Sequence, residues 1–89
     1  MKITEINITP IKPFGGQVAF ASIVIDGSFY LSSIAIYVRM DGSLRLLYPT
    51  KKIGEHSTTI FHPVRWEISK MVEQEIFEKY NELLEKSRL

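Results

Sequence analysis

The hydrophobic rhythm of the chain changes once, near residue 63. Upstream it is short-period and rich in β-branched residues; downstream it follows a helical repeat. Residues 2–9, KITEINIT, alternate loosely, with Ile6 and Ile8 on one face and Ile3, Glu5 and Asn7 on the other. That pattern predicts a half-buried strand. Pro10 and Pro13 predict that it ends near residue 9 or runs along a sheet edge, and PIKPFGGQ at 10–17 has the composition of a loop. Residues 18–26, VAFASIVID, are nearly continuously apolar, which predicts a strand covered at least partly on both faces.

Two Asp-Gly pairs separate the next strand-like runs. Asp26-Gly27 leads into SFYLSSIAIYV at 28–38, and Asp41-Gly42 leads into LRLLYP at 44–49. Asp-Gly between strand-like runs is a strong hairpin signal, because both central residues of the favoured turn need positive φ. A two-residue turn at Asp26-Gly27 would set Ile25 opposite Ser28, Ile23 opposite Tyr30 and Ala19 opposite Ile34. Residues 2–48 therefore predict a four-stranded antiparallel meander.

The longest polar connection, LYPTKKIGEHSTTIFHP at 47–63, comes next. Gly54 interrupts it as a loop, and TTIF at 58–61 could add one short strand. His62-Pro63 closes it, since the residue before proline avoids the α region while proline suits a helix's first turn. Residues 64–86 then repeat apolar positions at helical spacing: Val64, Ile68, Met71 and Val72 about one direction, Ile76, Tyr80, Leu83 and Leu84 a quarter-turn on. Such a stripe is wider than one sheet requires and points to a second contact surface or a break into two helices. Trp66 lies off the early stripe, to be packed against the 49–62 segment or held in a subunit interface. Ser87 to Leu89 are expected to fray.

Composition narrows the chemistry. Eighty-nine residues predict one domain spanning 1–89. Cysteine is absent, which excludes disulfides, thiolate metal sites and a cysteine nucleophile. No leader pattern opens the chain and no apolar run is long enough to span a bilayer, so a cytoplasmic protein is expected, without a membrane partner. The net charge of +1 disfavours a strongly basic, nonspecific nucleic-acid binder. The cations are uneven, however: residues 1–63 hold six Lys or Arg against four acids, and residues 64–89 five against six.

Lys51 and Lys52 form the only adjacent basic pair and suit phosphate contact; an ordinary solvated loop is the plain alternative. Arg45, Arg65, Lys12 and Arg39 extend the patch only if the fold gathers them. His56 and His62 lack the spacing and partners of a metal site, so no metal or other cofactor is expected, and His62 is better suited to fixing the turn before the helix. No GxSxG elbow, phosphate-binding glycine loop or poised carboxylate pair exists, which argues against an enzyme. Phe20, Phe29, Tyr30 and Tyr37 are candidate base-stacking residues, although aromatics at strand spacing more often build a core or interface.

MKIT at 1–4, ASIVIDGSFYLSSIAI at 21–36, YPTKK at 48–52, and HP at 62–63 before a helix carrying Tyr80 together resemble the SpoVG family of bacterial septation and sporulation regulators. The resemblance covers about residues 1–80. It implies a small, non-enzymatic cytoplasmic homodimer that binds DNA and, in some members, RNA. Pro49, Thr50, Lys51 and Lys52 match the family's basic element, and His62-Pro63 its turn. Ser57-Thr58-Thr59 stand where members usually carry an arginine, and Asn7 and Thr9 where basic residues are common. A basic position early in the family's helix falls near Ser69, beside Lys70. These departures imply weaker binding or altered specificity.

The expected fold is α+β: an antiparallel sheet of four to five strands, one face under the 64–86 helix, with the other face or an edge meeting a second subunit. The expected function is nucleic-acid-binding regulation through Thr50, Lys51 and Lys52, with Arg45, Arg65 and Lys70. A dimeric protein-interaction module is the alternative.

Overall fold

A computed structural model describes residues 1–87; Arg88 and Leu89, expected to fray, lie outside the described residues. Four strands form one antiparallel meander: β1 (Ile3–Phe14), β2 (Gln17–Ile25), β3 (Phe29–Val38) and β4 (Leu44–Leu47), in the order β1-β2-β3-β4. β5 (Thr50–Ile53) and β6 (His56–Thr59) pair only with each other, and α1 (Trp66–Ser87) is the last element.

The helix covers one face of the meander. Ile3, Ala19, Ala21, Ile23, Ile34, Ile36 and Leu46 from the sheet meet Val72, Ile76 and Tyr80 of α1. Those three helix positions recur every four residues and form a single buried line. The wide stripe belongs to one unbroken helix, with Ile68, Met71 and Phe77 half-buried beside that line. α1 starts two residues later than the periodicity predicts. Its first internal bond runs from the Ser69 N–H to the Arg65 carbonyl at 3.0 Å, and Glu67 in the first turn suits the positive end of the helix dipole.

Bulges correct the predicted faces and register. In β1, Ile3 pairs with Ile25 but Glu5 with Val24, so Thr4 is an extra residue. That insertion turns Ile3 onto the face of Ile6 and Ile8, contrary to simple alternation. The Thr4 hydroxyl donates to the Val24 carbonyl at 3.2 Å and accepts from the Gly27 N–H at 2.9 Å. The Lys2 N–H donates to the Asp26 carboxylate at 2.9 Å, so the start of β1 is laced to the first hairpin turn.

That turn has the positive φ predicted at Asp26 (51°) and Gly27 (63°), and Ser28 N–H donates to the Ile25 carbonyl at 2.9 Å. The pairing beyond it differs from the expected register: Ile25 faces Phe29, and Ile23 faces Leu31. Ser32 and Ser33 then oppose the single residue Ser22, with Ser33 at φ 64°, and past this bulge Ala21 faces Ile34 and Ala19 faces Ile36. The physical reason is the apolar pattern of β3. Leu31 and Ile34 are three apart and would fall on opposite faces of a regular strand; one inserted residue brings both to the helix side.

β1 also outruns its prediction. It continues through Pro10 and Pro13 to Phe14, and the turn is Gly15-Gly16 alone. Of the two possibilities for this segment, the edge position is realised: β1 has a neighbour on one side only, the place in a sheet where proline is tolerated. Pairing lapses between Pro10 and Phe14. At the second Asp-Gly turn, the Asp41 carboxylate accepts from the Ser43 hydroxyl at 2.6 Å and the Ser43 N–H at 2.9 Å. These bonds, the hydroxyl first, hold its pKa below the ordinary carboxylate value.

Candidate nucleic-acid interface

The polar connection is a hairpin arm rather than a loop. Thr50 pairs with Thr59, Lys51 with Thr58, Lys52 with Ser57 and Ile53 with His56, about a turn at Gly54-Glu55 in which Gly54 has φ 62°. All eight strand residues are exposed. Threonine's β-branched side chain favours extended backbone without requiring burial, which is why these residues pair while remaining in solvent. The register continues past the strands: Ile60 N–H donates to the Pro49 carbonyl at 2.8 Å, and the Tyr48 and Phe61 rings meet edge to face at 5.9 Å. That aromatic pair anchors the root of the arm.

Strand geometry separates the two lysines. Adjacent strand residues point to opposite faces, so Lys51 lies with Ile53, His56 and Thr58, and Lys52 with Thr50, Ser57 and Thr59. The segment expected to be a loop is thus a hairpin, and its two adjacent lysines lie on opposite faces of it. Among the other candidates, Arg45 lies on β4 opposite Tyr37, on the face away from the helix. Arg65 and Lys70 stand at the start of α1, each beside a carboxylate: Arg65 to Glu67 at 3.6 Å and Lys70 to Glu73 at 3.7 Å. The sites thus fall into three places: the arm (Thr50, Lys51, Lys52), the helix start (Arg65, Lys70) and the open sheet face (Arg45).

His62 does what the turn before the helix requires. Its Nδ1 lies 3.0 Å from the Pro63 carbonyl, which can only accept, so Nδ1 carries the proton. His56 sits at the tip of the arm, and no group of three or more His, Asp or Glu among the described residues is arranged to hold a metal.

The feature not anticipated from sequence is an apolar cavity of about 320 Å³ at the arm's root, between the helix start and the sheet. Ile25, Leu31, Tyr48, Phe61, Val64 and Ile68 are among its walls. The Tyr48 hydroxyl is buried without a hydrogen-bond partner. Desolvation, reinforced by the charge of Glu73, pushes its pKa up from 10.0 to about 12. Val64 of the cavity wall (90% exposed), Ile53 and Ile60 of the arm and Trp66 at the helix start (70% exposed) present apolar surface to solvent. Trp66 is therefore largely open to solvent within one chain. The signal for this arrangement was the mirror placement of Tyr48-Pro49 and Ile60-Phe61 about Gly54-Glu55, which marks a hairpin with an aromatic base.

Comparison with known proteins fits this architecture to a family. The family model of SpoVG matches residues 1–82. The chain belongs to the SpoVG family. The SpoVG of Clostridioides difficile strain 630 is 28% identical over 85 residues, covering 94% of this chain and 91% of that protein. Those of Caldicellulosiruptor saccharolyticus and Caldicellulosiruptor bescii are each 29% identical over 85 residues, covering 94% of this chain and 96% of theirs. SpoVG proteins are non-enzymatic regulators named for septation and stage V sporulation, and this chain is a member of that class. Among the described residues no helix is long and apolar enough to cross a membrane.

Proposed function

We propose that this SpoVG-family protein is a homodimeric regulator that binds nucleic acid, DNA and also RNA, with the arm as its phosphate-contacting element. The observation that carries this reading is the arm itself: a hairpin of exposed residues bearing two lysines that make no ion pair with any described carboxylate. The face holding Thr50, Lys52, Ser57 and Thr59 is wholly polar, with one cation and three hydroxyls suited to phosphate oxygens. Arg65 and Lys70 add less, because Glu67 and Glu73 offset their charge. Arg45 offers a separate cation on the open sheet face.

The second copy is supported by the apolar surface beside the arm. Val64 lines the root cavity, and Ile53 and Ile60 of the arm and Trp66 at the helix start are exposed apolar residues; a partner covering them would leave the Lys52 face in solvent. Phosphate contacts release counterions, so affinity for duplex DNA should fall steeply with salt. Replacing Lys51 and Lys52 by alanine should weaken binding and flatten the salt dependence by about 0.9 per lost phosphate contact. Fluorescence anisotropy with labelled duplex at two salt concentrations measures both. Unchanged affinity and slope would remove the arm from the interface, and a monomeric mass in light scattering would remove the dimer.

A further inference from the structure

The sheet face opposite the helix bears aromatic rings and hydroxyls across β2 and β3, with Glu5 on β1 and Arg45 on β4. Paired residues share a face, so Thr9, Phe20, Ala35 and Leu47 form one cross-strand row on it. Glu5, Val24 and Tyr30 form another. Between these rows lies a cavity of about 230 Å³, bounded by the rings of Phe20 and Tyr30 and by Ser22, Ser32, Ser33 and Thr9. Phe20 is 40% exposed and Tyr30 67% exposed, so both offer ring surface to a ligand. The bulge of β3 builds this cavity: two serines opposite one leave three hydroxyls together, and the Ser33 backbone is held at positive φ to do so.

The geometry points to a site for unstacked bases of single-stranded nucleic acid, with Phe20 and Tyr30 as stacking surfaces and the serine and threonine hydroxyls meeting base edges. It rests on the proposed nucleic-acid function and names the form of nucleic acid this face takes. The chemistry fits on three counts. A neutral base has an apolar face and polar edges, as this cavity has apolar walls and a hydroxylic floor. The rows lie four residues apart along β2, about 13 Å at a strand's rise of ~3.3 Å, so each ring can carry its own nucleotide along an extended strand. Charge is graded across the face: Glu5 lies on the β1 edge, Arg45 on β4, and the arm lysines come after β4 in the chain, which gives a phosphate backbone a path from Tyr30 toward the cations. A second copy fits the other flank better, where Ile53, Ile60, Val64 and Trp66 are exposed large apolar residues.

The test is anisotropy of the full chain with a labelled single-stranded RNA and, separately, a labelled DNA duplex, together with the mass of each variant in solution. Phe20→Ala and Tyr30→Ala should each weaken single-strand binding about ten-fold, leave duplex binding unchanged, and leave the salt slope intact, because stacking releases no counterions. Tyr30→Trp, which keeps a stacking ring, should bind the single strand at least as tightly as the native chain. Unchanged single-strand affinity in both alanine variants, with loss in the Lys51→Ala, Lys52→Ala double variant, overturns the base site and leaves the proposed function standing. A shift from dimer to monomer in Tyr30→Ala overturns it in favour of a second copy on this face. Absence of binding by the native chain to either probe overturns both.

Discussion

Two parts of this molecule are built on opposite principles. The meander and α1 share a dry interface in which Ile34, Ile36 and Ile76 are fully buried and no charged or polar side chain other than tyrosine is enclosed among the described residues. The β5–β6 arm buries nothing. It is held by four cross-strand pairs, one backbone bond at its root and the Tyr48–Phe61 contact. An isolated two-stranded hairpin is marginally stable in water, so the arm depends on that root. Buried apolar packing resides in one region and exposed polar side chains in the other. Mutations should therefore separate the two.

The largest effect is expected in the core. Ile76→Ala removes a fully buried side chain beneath α1 and should cost about 2–5 kcal/mol, seen as a lower urea midpoint. A cost below about 1 kcal/mol would mean the helix is not seated on the sheet as described. Tyr48→Phe sharpens the boundary between the regions. Its hydroxyl is buried without a partner, so deleting it should raise stability by about 1 kcal/mol rather than lower it. The same residue predicts a pH signature. The folded-state phenol keeps its proton to about 12, against 10.0 in the unfolded chain. Its contribution is thus complete below pH 10 and is lost as pH rises toward 12, and Tyr48→Phe should remove that part of the alkaline decline.

Smaller still is Ser33→Gly. Glycine accepts φ 64° without a Cβ penalty, although it gains freedom in the unfolded chain, so a net stabilisation of about 0.5 kcal/mol is expected from thermal melts. The least effect on stability belongs to the arm. Lys51→Ala with Lys52→Ala should move the unfolding midpoint by no more than about 0.5 kcal/mol equivalent, while changing nucleic-acid affinity more than any substitution in the core that leaves the chain folded. A large stability loss there would show that the arm carries structural weight.

The legibility of each region obeys the same division. Ile6, Ile8, Ile34 and Ile36 announce buried strand faces, and Val72, Ile76 and Tyr80 a buried helix line, because burial imposes a period on sequence. The arm has no apolar period, so most of its Thr-rich hairpin has the sequence character of a loop. Lys51 and Lys52 stand out as candidates by charge and resemblance, but their divergence to opposite faces depends on their lying on a strand. The open-face cavity is hidden further, since it depends on which residue of β3 is the extra one.

By itself the sequence determined the meander, the helix, the positive-φ turn at Asp26-Gly27 and, through its ordered motifs, membership of the SpoVG family. These rest on local conformational preference and on the periods of strand and helix, which neighbouring residues encode. Tertiary structure decided the bulges at Thr4 and Ser32-Ser33, the passage of β1 through two prolines, and the pairing of β5 with β6. Register is a competition among whole strands for one buried face. Inserting a residue restores Ile3 and Leu31 to that face, and only the assembled sheet with its helix sets the gain from burying them against the cost of an interrupted ladder.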